Sequence, residues 1–116
     1  MHYMLLLYTN EAEWTASGEA EEAIIGDHFR LSEDLKHAGK YRTCDALAPF
    51  ATATTVRVRS GKTLVTDGPF AETKEQLGGY YLIDANDLDE AIVIASRVPD
   101  ARVGSVEIRP IRVLNM

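Results

Sequence analysis

His28 is the histidine best placed to take part in chemistry. Positions 24, 28, 31 and 35 follow one another at spacings of 4, 3 and 4 residues, so His28 shares one helix face with Ile24 and Leu31. An imidazole titrates near neutral pH, and a half-buried one can act as a general acid or base. The other interpretation is a packing histidine whose ring nitrogens bind backbone groups.

The sequence Asp67-Gly68-Pro69-Phe70 predicts a rigid turn. Pro69 fixes its own φ and disfavours helical angles at Gly68, which can also adopt angles closed to other residues. Such a turn would line a pocket and hold the Asp67 carboxylate and the Phe70 ring in fixed directions. The alternative is a turn with a purely structural role.

A charged segment continues from this turn. If residues 71–76 are extended, the side chains of Glu72, Lys74 and Gln76 share one face, because side chains alternate along a strand. The carboxylates of Asp67 and Glu72 would then lie near the ammonium group of Lys74. Phe70, Glu72 and Lys74 are therefore candidate binding residues, against the alternative of a solvated run of charges.

The composition is that of one globular domain, residues 1–116. The 12 Lys and Arg residues against 18 Asp and Glu residues give a net charge of −6, and 46% of the residues are hydrophobic. Because nucleic-acid backbones are bound by clustered cations, we expect no direct nucleic-acid binding. No apolar run approaches the roughly 20 residues of a membrane span, and no signal peptide is evident. We therefore expect a cytoplasmic protein that does not bind membranes.

The sequence contains no motif for a metal or a cofactor. Cys44 is the one cysteine, which leaves no intrachain disulfide and no cysteine-based zinc cluster. No histidine spacing suits a metal ion, no acidic loop resembles a calcium site, and no nucleophile elbow occurs. We expect neither a metal nor a cofactor.

The elements that must position the candidate residues are strands and two helices. A helical pattern runs from Glu19 to Ala38 and is followed by Gly39, the residue type that most often ends a helix. Asp87 and Glu90 form a capping box ahead of a second helix, which Pro99 ends. Strands are predicted at residues 2–8, 41–47, 54–59, 62–66, 78–84 and 103–113.

This order predicts an α+β fold, a ferredoxin-like sandwich in which two helices cover one face of an antiparallel sheet. The first strand is apolar on both faces, with Leu5 on one and Leu6 on the other, and the strand at residues 78–84 is similar. Two helices cover only one face. We therefore expect the other face to pack against a second copy of the chain in a homodimer.

Residues 67–81, Asp-Gly-Pro-Phe-Ala-Glu-Thr-Lys-Glu-Gln-Leu-Gly-Gly-Tyr-Tyr, resemble the signature of DGPF-domain proteins, a branch of the YCII-related family. The likeness extends to Tyr-Met-Leu-Leu-Leu-Tyr near the start, Ala-Thr-Thr-Val-Arg-Val-Arg in the predicted hairpin and Gly-Ser-Val-Glu-Ile-Arg-Pro near the end. The resemblance therefore spans nearly the whole chain.

The resemblance implies a ferredoxin-like fold that dimerises as an α/β barrel. It also implies a His–Asp pair in a cleft between helix and sheet, with a proposed enzymatic role and no settled substrate. His28 matches the family's histidine, while Asp67 and Asp45 both compete for the position of its aspartate. DGPF proteins are also associated with sigma-factor domains, which implies a regulatory role as an alternative.

Three functions remain open at this point. The first is a small dimeric enzyme acting on an organic molecule, with His28 as the acid or base and Asp67 as its orienting partner. The second is a non-catalytic ligand-binding or regulatory module in sigma-factor-linked transcription control, and the third is a structural interaction module. The fold cannot choose among them, because one scaffold of this kind supports unrelated functions.

Overall fold

The computed structural model describes residues 1–12 and 21–114. The strands are β1 (His2–Thr9), β2 (Tyr41–Ala46), β3 (Thr54–Arg59), β4 (Lys62–Asp67), β5 (Gln76–Asp84) and β6 (Ser105–Pro110). The helices are α1 (Glu21–His37) and α2 (Leu88–Ser96), and short 3₁₀ turns lie at Phe50–Thr52 and Pro99–Arg102.

The central sheet is antiparallel and has the strand order β2-β5-β1-β6, while β3 and β4 form a separate hairpin. Strand β1 lies inside the sheet and pairs with β5 on one side and β6 on the other. This arrangement confirms the predicted α+β fold with two helices and an antiparallel sheet, and it is consistent with a ferredoxin-like sandwich.

The two helices pack on one face of the sheet, here called the inner face. The side chains of Tyr3, Leu5 and Leu7 in β1 and of Tyr81 and Ile83 in β5 point into this core and are at most 4% exposed. Full burial of one large apolar side chain contributes about 1.5–3 kcal/mol. The core residues are Tyr3, Leu5, Leu7, Leu31, Leu35, Tyr81, Ile83, Ala85, Ala91, Ile94, Ala95 and Val98.

The opposite face of the sheet, here called the outer face, is only partly covered. Met4, Leu6 and Tyr8 of β1 point to this face and are half-buried. Leu6 lies opposite Tyr80 of β5 and Glu107 of β6. The outer face therefore has an apolar centre with charged side chains toward the β6 edge, in agreement with the two-faced pattern of the sequence.

The helix ends follow the sequence signals with small differences. Gly39 has a φ of +73°, and the N–H of Lys40 donates to the carbonyl of Leu35 at 2.8 Å, which ends α1 at His37. The predicted start at Glu19 lies outside the described residues. Asp87 accepts a hydrogen bond from the N–H of Glu90 at 2.9 Å, as a capping residue should.

The structure differs from the predicted last strand and from the extended path considered for residues 71–76. The last strand ends at Pro110 rather than at Val113, since proline has no N–H to continue the pairing. Residues 71–75 form no strand, because Thr73 and Gln76 bind each other locally: the Gln76 amide donates to the Thr73 carbonyl at 2.7 Å. The shared face predicted for Glu72, Lys74 and Gln76 is therefore absent.

Gly79 lies at a close approach of β5 to β2, which gives a test of the packing. A Cβ atom at Gly79 would lie 2.8 Å from the Asp45 carbonyl oxygen, whereas a Cβ at Gly78 would meet nothing within 4 Å. We expect Gly79→Ala to lower the free energy of unfolding by about 1–3 kcal/mol, because β2 must move away. The control, Gly78→Ala, should change it by less than about 1 kcal/mol. Urea unfolding measures both values, and equal losses would contradict the close approach.

Candidate functional site

Helix α1 directs His28 toward the inner face of the sheet, on the side that the helical period predicts. Ile24 and Leu31 on the same face of the helix are 7% and 2% exposed, which anchors this side of the helix in the core. The imidazole stacks on the ring of Tyr81 from β5, with 5.8 Å between ring centres and 20° between ring planes. His28 itself is half-buried.

Both ring nitrogens of His28 contact other side chains. Nδ1 lies 2.6 Å from the hydroxyl oxygen of Tyr81, and Nε2 lies 3.1 Å from Oδ1 of Asp100. The alternative of a packing histidine bound to backbone groups does not describe these contacts. His28 is instead the centre of a cluster, here called the His–Asp–Tyr cluster, formed by His28, Asp100 and Tyr81.

The chemistry of the partners determines where the protons lie. A carboxylate can only accept a hydrogen bond, so the tautomer with its hydrogen on Nε2 is favoured beside Asp100, although this N–H is not aligned on the carboxylate oxygen. In the neutral ring Nδ1 is then the acceptor, and the Tyr81 hydroxyl donates to it. Burial raises the pKa of Tyr81 above its ordinary value, because a buried phenolate is poorly solvated. Tyr81 therefore remains a hydrogen-bond donor at neutral pH.

Asp100 reaches the cluster from the 3₁₀ turn that follows α2. Val98 is fully buried ahead of this turn, and the Asp100 carbonyl accepts from the N–H of Gly104 at 2.8 Å. Arg102, in the same turn, contacts the carboxylate of Asp27 at 3.3 Å. Since Asp27 directly precedes His28, this ion pair joins the turn to α1 beside the cluster. Arg30, and after it Arg102, lower the pKa of Asp27.

One oxygen of the Asp100 carboxylate has no well-aligned hydrogen bond. Asp100 is 9% exposed, and its Oδ1 is buried without an aligned donor. The 3.1 Å contact to Nε2 of His28 is close enough for electrostatic attraction, but the ring N–H direction misses the oxygen. A buried acceptor without an aligned donor is costly, and this oxygen has almost no surface that a ligand could contact.

A cavity of about 440 Å³ lies beside the His–Asp–Tyr cluster. Its wall is mostly apolar, with Ile24, Phe29 and Leu47 among the lining residues. Among the described residues, no lysine or arginine lines it. A bound molecule would therefore meet a mainly apolar wall and the polar groups of the cluster, and the acidic residues Glu11 and Asp45 also line the cavity.

Cys44 adds a thiol to the same cavity wall. Its Sγ lies 3.5 Å from the Tyr41 hydroxyl and 3.8 Å from the Ser32 hydroxyl. The contact with Cys44 is the largest cause that raises the pKa of Tyr41. Ser32 and Cys44 also line the cavity, so both could contact a ligand there.

The turn at Asp67 lies in another part of the molecule. Gly68 has a φ of +96°, which favours glycine, and its N–H donates to the Ala53 carbonyl at 2.7 Å. Phe70 and Glu72 line a second cavity of about 810 Å³. Asp67 and Lys74 are exposed and line neither cavity. His28 contacts the side chains of Asp100 and Tyr81. It does not contact Asp67, the partner that the sequence analysis predicted.

Asp45, the other candidate partner of His28, points to the outer face. It lies opposite Tyr80 in the β2–β5 pairing and accepts a hydrogen bond from the Tyr80 hydroxyl at 2.8 Å. This hydrogen bond raises the pKa of Tyr80. Strand alternation places Cys44, not Asp45, on the side of the sheet where His28 lies.

Sequence reasoning missed both side-chain partners of His28. Asp100 follows Val98 and Pro99, a pair that predicts only the end of a helix. Aspartate is also seldom buried, so nothing in the sequence marked Asp100 as a partner of His28. Tyr81 lies in an apolar strand and reads as core. A usable signal was the alternation in β5, which puts Tyr81 on the same face as Ile83 and therefore beneath the helices.

The fold and the cluster define a small α+β sandwich protein with a histidine held between a carboxylate and a phenol at a cavity wall. The family model of the YCII-related domain matches residues 1–115, and the chain belongs to this family. An uncharacterised protein of Rhizobium meliloti (strain 1021) is 42% identical over 114 residues, which cover 96% of this chain and 92% of that protein. The predicted YCII-related membership is confirmed, while the DGPF branch stays a prediction.

The described part of the chain contains neither a membrane-spanning helix nor a metal site. In residues 1–12 and 21–114, no helix is long and apolar enough to cross a membrane. The same residues hold no group of three or more His, Cys, Asp or Glu side chains arranged to bind a metal ion.

The raised pKa of Tyr81 predicts how stability depends on pH. In the unfolded chain the phenol titrates near its ordinary value of about 10, while in the folded protein its pKa is higher. The stability contributed by Tyr81 is therefore complete below pH 10 and is lost as the pH rises through the folded value.

Tyr81→Phe should remove this part of the pH dependence. We expect the free energy of unfolding to fall less steeply between about pH 9.5 and 11 in Tyr81→Phe than in the wild type. Urea unfolding at a series of pH values measures both slopes. Equal slopes would show that Tyr81 titrates alike in the folded and unfolded states.

Proposed function

We propose that the cavity beside α1 is an acid–base site that binds and transforms a small, uncharged organic molecule. One observation carries the proposal: His28 lies 2.6 Å from the Tyr81 hydroxyl and 3.1 Å from the Asp100 carboxylate at the wall of a mainly apolar cavity. An imidazole held between a carboxylate and a proton donor is suited to proton transfer.

His28 is the group that takes up and returns the proton. A proton that leaves the ligand passes to Nδ1, either directly or through the Tyr81 hydroxyl, and the ring becomes an imidazolium. The carboxylate of Asp100 beside Nε2 stabilises this positive ring. The same proton then returns to another atom of the ligand, so the reaction is an isomerisation or elimination that needs no redox partner.

The cavity wall favours an uncharged ligand with an apolar body and a hydrogen-bond donor. The absence of lysine and arginine from its described lining leaves a carboxylate or phosphate group without a partner. The Asp100 carboxylate, which is part of the cavity lining, can accept a hydrogen bond from a hydroxyl or N–H group on the ligand. A volume of about 440 Å³ falls within the range of small-molecule sites.

A titration with benzyl alcohol tests the proposed site. NMR spectra of the labelled protein should show shifts concentrated at His28 and Cys44, with benzoate binding more weakly. His28→Gln and Asp100→Asn should each weaken binding by about tenfold or more, because each removes a polar partner in a buried site. The matched control Asp67→Asn should bind as the wild type does. Shifts centred elsewhere, or unchanged binding in both variants, would contradict the site.

A non-catalytic module is the second candidate function, and it includes a role in sigma-factor-linked transcription control. It is favoured by the fact that neither ring nitrogen of His28 is free of a side-chain partner. In this case the cavity binds its ligand and releases it unchanged. Compounds found to bind can be incubated with the protein and re-isolated: a product formed by the wild type and not by His28→Gln establishes the enzyme, and unchanged ligand establishes the module.

We further propose that the chain forms a homodimer in the cytoplasm, in which the outer faces of two sheets pack together as a dimeric α/β barrel. Support comes from the half-buried apolar residues of that face, such as Met4, Leu6 and Leu82. Burial of apolar surface stabilises association by about 25 cal/mol per Å². A two-fold axis would allow the same face to serve both copies.

Leu6→Glu should break this dimer, because it places a charge at the centre of the outer face. We expect light scattering to give twice the mass of one chain for the wild type and the single-chain mass, or aggregates, for Leu6→Glu. Val93→Glu is the matched control, since Val93 is 63% exposed on α2, and it should remain dimeric. A wild type with the mass of one chain would refute the homodimer.

A further inference from the structure

Both ring nitrogens of His28 are occupied by protein side chains, so in this arrangement a ligand meets those partners first. Nδ1 lies 2.6 Å from the Tyr81 hydroxyl, and Nε2 lies 3.1 Å from Oδ1 of Asp100. A carboxylate only accepts hydrogen bonds, whereas a phenol can both donate and accept. A proton that moves between the cavity and His28 therefore passes through Tyr81.

Tyr81 needs a second donor to pass this proton on. Its side chain is 2% exposed, and burial raises the pKa of its hydroxyl, because a buried phenolate is poorly solvated. When Tyr81 gives its hydrogen to Nδ1, its oxygen must therefore receive another hydrogen in the same step. The residue that completes the path must carry a hydroxyl that is close to Tyr81 and open to the cavity.

Ser32 has this position on α1. It follows His28 by four residues, and residues at this spacing lie on one helix face with about 5–6 Å between their Cβ atoms. Its Oγ lies 3.8 Å from Sγ of Cys44, and Cys44 is the residue of β2 that lies opposite Tyr81 in β5. Ser32 therefore lies over the pair of Tyr81 and Cys44 on the inner face of the sheet.

The Ser32 hydroxyl acts on Tyr81 and also reaches the cavity. Burial, the larger effect, raises the pKa of Tyr81, and Ser32 lowers it, as expected of a hydroxyl that donates toward the phenol oxygen. Ser32 is 7% exposed and lines the cavity of about 440 Å³. Because a hydroxyl both donates and accepts, Ser32 can receive a hydrogen from a ligand while it gives its own to Tyr81.

We propose that Ser32 is a catalytic residue of this site, the group that carries a proton between a ligand in the cavity and His28. This inference rests on the acid–base function proposed above. A hydrogen of the ligand passes to Oγ of Ser32, the hydrogen of Ser32 passes to the Tyr81 oxygen, and that of Tyr81 passes to Nδ1 of His28. One O–H bond forms and one breaks at each hydroxyl, so only the ligand and the imidazole change charge. The proton returns to the ligand along the same path.

The path is tested without a ligand, by the rate at which the Tyr81 hydroxyl hydrogen exchanges with water. NMR spectra of protein labelled at tyrosine give this rate by magnetisation transfer from water. We expect Ser32→Ala to slow the exchange by about tenfold or more, because the hydroxyl that links Tyr81 to the cavity is lost. Ser32→Thr keeps the hydroxyl and should stay within about threefold of the wild-type rate.

Thr9→Val is the matched control for the loss of a hydroxyl. Thr9 is 8% exposed and lines the same cavity, but it lies at the end of β1 and takes no part in the proposed path. Its exchange rate at Tyr81 should stay within about threefold of the wild-type rate, because the path through Ser32 is intact.

A purely structural role of Ser32 gives the opposite result. The gap left by Ser32→Ala would then loosen the packing around Tyr81 and speed its exchange through local opening. Unchanged or faster exchange in Ser32→Ala, including exchange too fast to resolve in both proteins, overturns the path. Equal slowing in Thr9→Val overturns it as well. Circular dichroism shows that each variant is folded, and Ser32→Cys, with a weaker donor, takes the same test if Ser32→Ala does not fold.

The outcomes separate this inference from the proposed function itself. If benzyl alcohol shifts the signals of His28 and Cys44 while Ser32→Ala leaves the exchange unchanged, the binding site stands and the role of Ser32 falls. If Ser32→Ala slows the exchange but benzyl alcohol binds elsewhere, the path of hydroxyls exists and serves no ligand there. In that case the acid–base function falls, and the catalytic role of Ser32 falls with it.

Discussion

The position of β1 inside the sheet is the constraint from which the rest of the structure follows. It pairs with β5 and β6 along almost its whole length, so its side chains alternate between two faces that are both apolar. The inner face requires two helices to cover it, and this brings α1 over Tyr81. Within residues 1–12 and 21–114, no helix covers the outer face, which is the physical basis for proposing a second copy.

The cluster around His28 depends on three elements that are distant in sequence. Helix α1 supplies the imidazole, β5 the phenol, and the turn after α2 the carboxylate. The ion pair between Arg102 and Asp27 joins the first and last of these elements next to the cluster. Any change in the packing of α1 against that turn alters the distance between His28 and Asp100, and with it the ability of the ring to carry a charge.

Features that depend on local chain chemistry could be predicted from the sequence, and features that depend on long-range contacts could not. The helical period fixed the side of α1 on which His28 lies, and the positive φ of Gly39 and Gly68 follows from turn chemistry. The contact between His28 and Tyr81 spans 53 residues, and no local pattern marks it. Asp100 was overlooked because its burial depends on the fold around it. The extended path considered for residues 71–76 is not formed, because side-chain hydrogen bonds such as that from Gln76 to the Thr73 carbonyl hold those residues in an irregular path.

The pairing of β1 also affects how the chain can fold during synthesis. Both neighbours of β1 come from residues 76–110, since β5 begins at Gln76 and β6 ends at Pro110. Until those residues have left the ribosome, β1 is an apolar strand with two unpaired edges, the kind of segment that aggregates or binds chaperones. Its contacts have a high sequence separation, which slows folding. The yield of native protein should therefore depend on growth temperature and expression rate, because these conditions set how long β1 stays unpaired. The equilibrium stability of the folded protein does not determine this yield by itself.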